Sequence, residues 1–474
     1  VGIVRYFEGE IGQFKLRNYF SPMRILILLL FCSTLHSQSA VWQNFGPNQS
    51  LETAAKLCLD PSGNIYYLAN GDTNQYPGNK WQLYKLDPQG QVLWKKVYGT
   101  TGNYAASQII FLHEKLFVAG ERSWNDTNQA WVTVLDTAGV LLQEKRFGSG
   151  DTTLAGQDIA ANPLNQIALL NQMRSQSGAE QSAQVLILDT ALNILHRHVQ
   201  IDSLSFVAQE IITLPSGGWA YTSDYELPTR FDYLVSTIDN QGHLVNRKIV
   251  SSGFTRGGNA IGVNSKGQIA IGGEGASALS VYFDITLTLL DTNLNVLSDV
   301  FVQPGVVKND ACFDMAITPY DTYLFTGYRI APENGQTEMI VVESDSAGKQ
   351  LFIDSHSSSP TCIGSGLICN DQGQFFAAGS DFNQAPSLIL ALGQAKGLQL
   401  KSNYLPPISA YPNPSKGVFH ISRNLNSSNW KVQNVLGQNI EFELNSKNLT
   451  IPGPPGIYFL TSIKTGESLR LIIE

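Results

Sequence analysis

The chain has 474 residues, with 31 Lys plus Arg against 39 Asp plus Glu and a formal net charge of −8, a balance that argues against a phosphate backbone as partner. Charged residues are 15% of the chain where about 25% is usual, and 42 Gly, 18 Tyr and 22 Phe favour β structure in a protein that works outside the cytosol. Length alone suggests three domains, a number that the internal repeat lowers to two.

The segment 23–39 reads as a secretory signal peptide. Met23 and Arg24 precede an apolar run from Ile25 to Leu35, followed by small polar residues with cleavage expected near Ser37 or Ser39. That run is too short to span a bilayer, which needs about 20 apolar residues. Residues 1–22 carry charge (Arg5, Glu8, Glu10, Lys15, Arg17) and read as an upstream extension, with Met23 as initiator. Cys32 does not fit a lipoprotein cysteine, because bulky Phe31 stands where a small residue is needed. Cys58, Cys312, Cys362 and Cys369 remain, without the spacing of a zinc site, and an exported chain permits disulfides among them.

The strongest signal is a repeat. A polar turn followed by an apolar strand, often ending in Gly, recurs with first apolar residues Ile65, Leu116, Ile167, Trp219, Ile269, Tyr323 and Phe375, at steps of 51, 51, 52, 52, 54 and 52. A second element follows each marker: a strand, an Asp-led turn closed by Gly or Asn, and another strand. Its copies are Asp87–Gly90, Asp136–Gly139, Asp189–Asn193, Asp239–Gly242, Asp291–Asn295 and Asp345–Gly348, with Gly393–Gly397 in the last repeat. Asp can accept from the turn amides while Gly or Asn takes positive φ, so these are hairpin turns and not catalytic aspartates. Each repeat then holds four short strands, in the first about Ala54–Leu59, Asn64–Ala69, Trp81–Leu86 and Val92–Tyr98. Four-stranded units of this period predict an all-β fold, a seven-bladed β-propeller over 40–403.

Ring closure predicts that Val41–Gly46, which looks like Leu93–Gly99, joins the seventh blade, whose own last strand over 398–401 is weak. The same placement puts Cys58 with Cys369, and Cys312 with Cys362, on innermost strands of neighbouring blades, where inter-blade disulfides are conceivable.

After a stiff linker at 404–407 the composition changes. Tyr411, Pro412, Asn413 and Pro414 with a following Gly417, the turn Leu436, Gly437 and Gln438, the strand Pro455, Gly456, Ile457 and Tyr458, and an apolar end at Leu469–Glu474 predict a small β-sandwich of six or seven strands. Over 408–474 this tail resembles the type A sorting domain of the type IX secretion system of Bacteroidetes. The resemblance implies Sec export, passage through the outer-membrane translocon, cleavage by its sortase, and release or attachment at the cell surface. The chain lacks the terminal Lys or Arg that many members carry.

Catalytic motifs are absent from the sequence. Trp94 beside Asp87–Gly90 resembles a quinone-dehydrogenase docking turn, but other repeats do not keep it, and no cofactor is expected. His196 and His198, two apart on an outer strand, read as a solvated pair, and no metal site is assigned. Gln108, Asp158, Glu210, Asn259 and Asp314 align at the innermost strands and predict a polar ring at the channel, which could cap the strands or hold waters or calcium. The loops between second and third strands carry Tyr76, Arg122, Trp124, Arg174, Tyr225, Arg230, Tyr328, Arg329 and Phe382, a candidate binding face. The leading expectation is a monomeric, non-enzymatic binding module for a glycan or protein. The alternative is a polysaccharide hydrolase or lyase using Asp158, Glu210 and Asp314.

Overall fold

The computed structural model describes residues 40–45, 52–72, 79–100, 102–124, 127–148, 152–175, 181–201, 206–227, 229–251, 255–277, 280–302, 309–331, 334–382 and 387–397 of the repeat region, and 410–411, 413–421, 430–435, 437–445, 447–462 and 468–474 of the tail. The upstream extension 1–22, the signal peptide 23–39 and the linker 404–407 lie outside the described residues. Two compact units divide between Leu398 and Gln399.

The first unit is a seven-bladed propeller, seven antiparallel four-stranded sheets. Blade one runs through Glu52–Leu59, Ile65–Asp72, Asn79–Leu86 and Val92–Tyr98, close to the spans read from the sequence. Blade seven takes its outer strand from the other end of the repeat region: Val41–Phe45 pairs with Ser387–Gln394, as ring closure requires. Its register places Phe45 opposite Leu388, where Tyr98 of blade one faces Trp81, but Trp42 faces Ala391, one position along from the site that Trp94 occupies. Trp42 there stacks on His356 at 5.1 Å.

Hydrophobic burial acts between blades. Each seam has its own apolar cluster; one holds Leu57, Tyr67 and Leu86 of blade one with Phe376, Leu388 and Leu390 of blade seven and so closes the circle. Tyr67 strengthens that seam by donating its hydroxyl to the carbonyls of Gly379 and Ile389, at 2.9 and 3.1 Å. The repeated strand-ending Gly has a packing cause: a Cβ at Gly120, Gly273 or Gly327 would collide with the carbonyl of Ala105, Gly257 or Ala311 on the innermost strand.

The seams also decide the cysteines. Cys58 packs between blades one and two and Cys369 between blades six and seven; Cys312 faces blade five while Cys362 faces the seam of blades six and seven. Members of each anticipated pair point into different cores, and all four are free thiols.

In the Asp-led turns one carboxylate oxygen accepts from two turn amides, as at Asp136 from Ala138 and Val140 at 2.9 and 2.7 Å. Gly90, Gly139, Gly242 and Gly348 take positive φ, but in the variant turns Leu192 (φ 62°) and Leu294 (φ 63°) do so, and not the following Asn. Both leucines are buried, so seam packing offsets the roughly 1 kcal/mol cost of a left-handed residue.

Among the described residues the second unit is a sandwich of eight strands in two four-stranded sheets, richer than the six or seven expected, around Phe419, Val432, Leu449, Leu460 and Leu471. A chain starting at Glu52 would leave the third strand of blade seven as an open edge; scanning calorimetry and light scattering should show a lower Tm and aggregation relative to the full chain.

Candidate functional site

Every innermost strand carries a β-bulge at the same place, between Ala54/Leu57, Ala106/Gln108, Gly156/Asp158, Ala208/Ile211, Gly257/Ala260, Cys312/Asp314 and Gly364/Gly366. A bulge interrupts the ladder and leaves amides that the neighbouring strand cannot satisfy. Three of the ring residues answer that need in the next blade. Asp158 Oδ2 accepts from Ile211 N–H at 2.7 Å, Glu210 Oε2 from Ile261 N–H at 2.8 Å and Asp314 Oδ2 from Leu367 N–H at 2.6 Å. Asn259 Nδ2 donates to Cys312 O at 2.7 Å. Gln108 accepts from Ile109 N–H at 2.9 Å and its side chain hydrogen-bonds Asp158.

The same register position in blade one is Lys56, which the sequence reading missed, and in blade seven it is Gly366. The Lys56 ammonium reaches across the axis to Asp314 at 2.8 Å and Glu210 at 3.4 Å. A lysine thus stands where a bound cation was conceivable. Burial raises the Glu210 carboxyl to about 8 against the pull of Lys56, with Asp314 and Asp158 adding to the rise. Burial likewise raises Asp158, opposed by the Ile211 amide and by Lys56.

The anticipated loop-face residues divide. Arg122 is buried at 7% exposure with its guanidinium 5.5 Å from the Tyr104 ring centre, and Tyr225 is 6% exposed in the seam of blades three and four; neither is an exposed contact. Arg230 pairs with Asp232 at 3.2 Å and Arg329 with Glu338 at 3.1 Å. Tyr328 is half-buried beside Phe313, ring centres 5.7 Å apart. Phe382 is exposed at 47%. Tyr76 and the side chains of Trp124 and Arg174 lie outside the described residues. The structure adds Phe231, Tyr282 and Phe313, exposed aromatics of blades four, five and six; with Phe382 of blade seven they mark one side of the loop face. Tyr320, also exposed, sits on the opposite face, in a turn between first and second strands. That face also has a cleft of about 510 Å³ between blades four and five, lined by Pro215, Asn240, Val245, Asn246 and Thr292 among others. His196 is exposed, but His198 is buried with its Nε2 3.1 Å from the Tyr221 hydroxyl, so the two are not a solvated pair.

In the tail the motif residues hold the sandwich together. Asn413 imitates a strand residue: its Nδ2 donates to Arg470 O and its Oδ1 accepts from Ile472 N–H, both at 2.8 Å. The Asn413–Pro414 peptide is cis. Ser415 continues the contact, donating its N–H to Ile472 O at 2.9 Å and accepting from Glu474 N–H at 2.9 Å. Gly417 and Gly437 take positive φ, and Gln438 N–H closes its turn on Asn434 Oδ1 at 3.0 Å. Tyr458, after Pro455, Gly456 and Ile457, donates its hydroxyl to Pro454 O at 2.7 Å. Pro412, Leu436 and the side chain of Tyr411 lie outside the described residues.

Residues 409–474 match the family described as the secretion system C-terminal sorting domain. The resemblance read from the tail motifs is borne out: the chain is addressed to type IX secretion, interacts with that machinery, and is exported to the cell surface or the extracellular space. No curated protein matches the sequence. Among solved structures, an ulvan lyase of polysaccharide lyase family PL25 is 11% identical over 75% of this chain and 97% of its own, with a TM-score of 0.49. Sqt1 of Chaetomium thermophilum is 14% identical over 76% and 98%, TM-score 0.43. A regucalcin of Agrobacterium tumefaciens, described as a calcium-binding protein, is 15% identical over 61% and 86%, TM-score 0.37.

Three outcomes follow from this geometry. Lys56→Met strands buried carboxylates and should cost about 3 kcal/mol in denaturant unfolding at about pH 9, where Glu210 is ionised, and less at about pH 5, where Glu210 is protonated. The folded chain keeps a proton on Glu210 that the unfolded chain sheds at the ordinary glutamate value, so this contribution to stability is full in acid and lost as pH rises through about 8. Glu210→Gln should accordingly gain Tm over the parent at about pH 9 and not at about pH 5. In the tail, Asn413→Ala removes two hydrogen bonds and should lower sandwich stability by about 2 kcal/mol and reduce the exported fraction in a secretion assay.

Proposed function

We propose that the exported propeller is a non-enzymatic binding module that recognises a glycan or protein through its loop face. The observation that carries this reading is the set Phe231, Tyr282, Phe313 and Phe382, exposed on consecutive blades four to seven. Large apolar rings left in water on one side of a face suit stacking on sugar rings or anchoring a partner. The alternative, a hydrolase or lyase using Asp158, Glu210 and Asp314, has less support, since backbone amides and Lys56 occupy those carboxylates. The route proposed for the chain begins with the signal peptide at 23–39 and ends with the outer-membrane translocon and its sortase acting on the tail.

A screen of the full chain against immobilised glycans and extracellular proteins should give saturable binding that is lost in the triple variant Phe231→Ala, Tyr282→Ala, Phe382→Ala. No binding to any of them, together with polysaccharide turnover abolished by Asp158→Asn, would reverse the reading in favour of the enzyme.

A further inference from the structure

The cleft between blades four and five, about 510 Å³ on the face opposite the loops, is a gap that the seams on either side fill. Trp219 fills the seam of blades three and four and Tyr323 that of blades five and six, each the first residue of a second strand and fully buried. In the seam between them that position is Ile269. The outer strands repeat the contrast. Next to the bulge, Trp94 of blade one packs on Tyr66 with ring centres 6.2 Å apart, and Phe352 of blade six packs on Phe375 at 6.1 Å. Blade four has Asn246 at that register.

The turns between first and second strands differ in the same way. Across the seam of blades three and four, Asn162 Nδ2 donates to Gly217 O at 2.9 Å, and a Cβ at Gly217 would stand 3.8 Å from Leu164 Cδ1. Across that of blades five and six, Asn264 Nδ2 donates to the Tyr323 hydroxyl at 3.1 Å and Ser265 N–H to Asp321 Oδ1 at 2.9 Å. Blade four has Leu214 at the turn position of Asn162 and Asn264, with no polar side-chain atom to cross the seam. Gly267 closes its turn as Gly217 does, but a Cβ there would meet nothing within 4 Å among the described residues. This one seam is short by an aromatic ring.

Leu214, Pro215, Ile238 and Val245 give the cleft apolar walls, and no aromatic or cationic side chain lines it among the described residues. Its one acid, Asp239, is spent on its own turn, accepting from Gln241 N–H and His243 N–H at 2.9 and 2.8 Å. Asn240 and Asn293 also line it, and their hydrogen bonds among the described residues use main-chain atoms, Asn240 O from Gln166 Nε2 at 3.3 Å and Asn293 N–H to Asp291 Oδ1 at 2.9 Å, which leaves both side-chain amides for a ligand. An uncharged lining disfavours an ion, which would lose its water without a partner. Walls without aromatic rings give a sugar nothing to stack on. The occupant that fits is the one the flanking seams already hold, an aromatic ring, and side-chain amides pair with the N–H and C=O of peptide groups on either side of it. We infer that this cleft docks one aromatic side chain on an uncharged segment of a partner protein, the ring entering the seam as Trp219 and Tyr323 enter theirs. The site is separate from the loop face, on the opposite side of the propeller.

Saturation-transfer NMR titration of the full chain with N-acetyl-tryptophanamide, an aromatic ring between two peptide groups, tests it against N-acetyl-alaninamide. The tryptophan probe should bind about tenfold tighter. Asn246→Trp, which gives blade four the ring that blade one carries at that register, should abolish the preference. Thr292→Trp, at an exposed turn position on the opposite wall, is a second blocking variant should the first fail to fold. Asn240→Ala with Asn293→Ala should weaken the tryptophan probe about fivefold. The loop-face variant Phe231→Ala, Tyr282→Ala, Phe382→Ala should bind it as the parent does. No binding of the tryptophan probe, equal binding of the two probes, or a preference that survives both blocking variants overturns the site. Loss of the preference in the loop-face variant assigns the ring to the other face and overturns it too. Bare indole bound as tightly as the capped residue overturns a protein partner, and a dimer in sedimentation velocity that Asn246→Trp dissolves makes the occupant a second copy of the chain, against the inference. None of these results touches the loop-face reading, which the screen described above judges by itself.

Discussion

Seven sheets set around an axis bring their innermost strands so close that each strand bulges, and every bulge leaves amides facing the crowded centre without a ladder partner. Burying an amide unpaired costs more than most single apolar contacts return. In three blades the chain meets this need with a carboxylate that reaches forward to the next blade's bulge, as Asp158 reaches Ile211, Glu210 reaches Ile261 and Asp314 reaches Leu367. Carboxylates make good acceptors but repel one another in a confined space. Lys56 is the compensating charge, placed between Asp314 and Glu210.

The fold was legible because its determinants are local and repeated. A polar turn, an apolar strand and an Asp-led hairpin recurring about every 52 residues specify blades before any contact between them is known. What escaped reading depends on partners distant in sequence. The two leucines with positive φ looked like ordinary turn residues, since the seam that buries them is built from other strands. The cysteines shared innermost strands, but the pleat sends their side chains into separate seams, a matter of register that spacing alone does not convey.

The candidate sites were legible in the same uneven way. The ring positions Asp158, Glu210 and Asp314 emerged from alignment of the repeats, whereas Lys56 was passed over because a basic residue breaks the pattern of acids and amides that defined the search. Aligning blade one to the others at the bulge would have found it. Exposure was the weakest inference: Arg122 and Tyr225 stand near loops in sequence yet turn into the protein, while Phe231 and Tyr282, inside strands, face water. The tail was legible as a β-sandwich with its sorting motifs, though not in its strand number, and of the motif residues Asn413, Gly417, Gly437, Gln438 and Tyr458 are seen in structural roles.

The Asn413 clamp ties the beginning of the sorting domain to Ile472, 59 residues later and two residues from the last. A polypeptide whose synthesis stops short of Ile472 lacks the strand that Asn413 grips, however complete its propeller is. The clamp therefore makes the opening of the sandwich depend on its far strand: the Asn413 segment has its partners only once Ser468–Ile473 is in place.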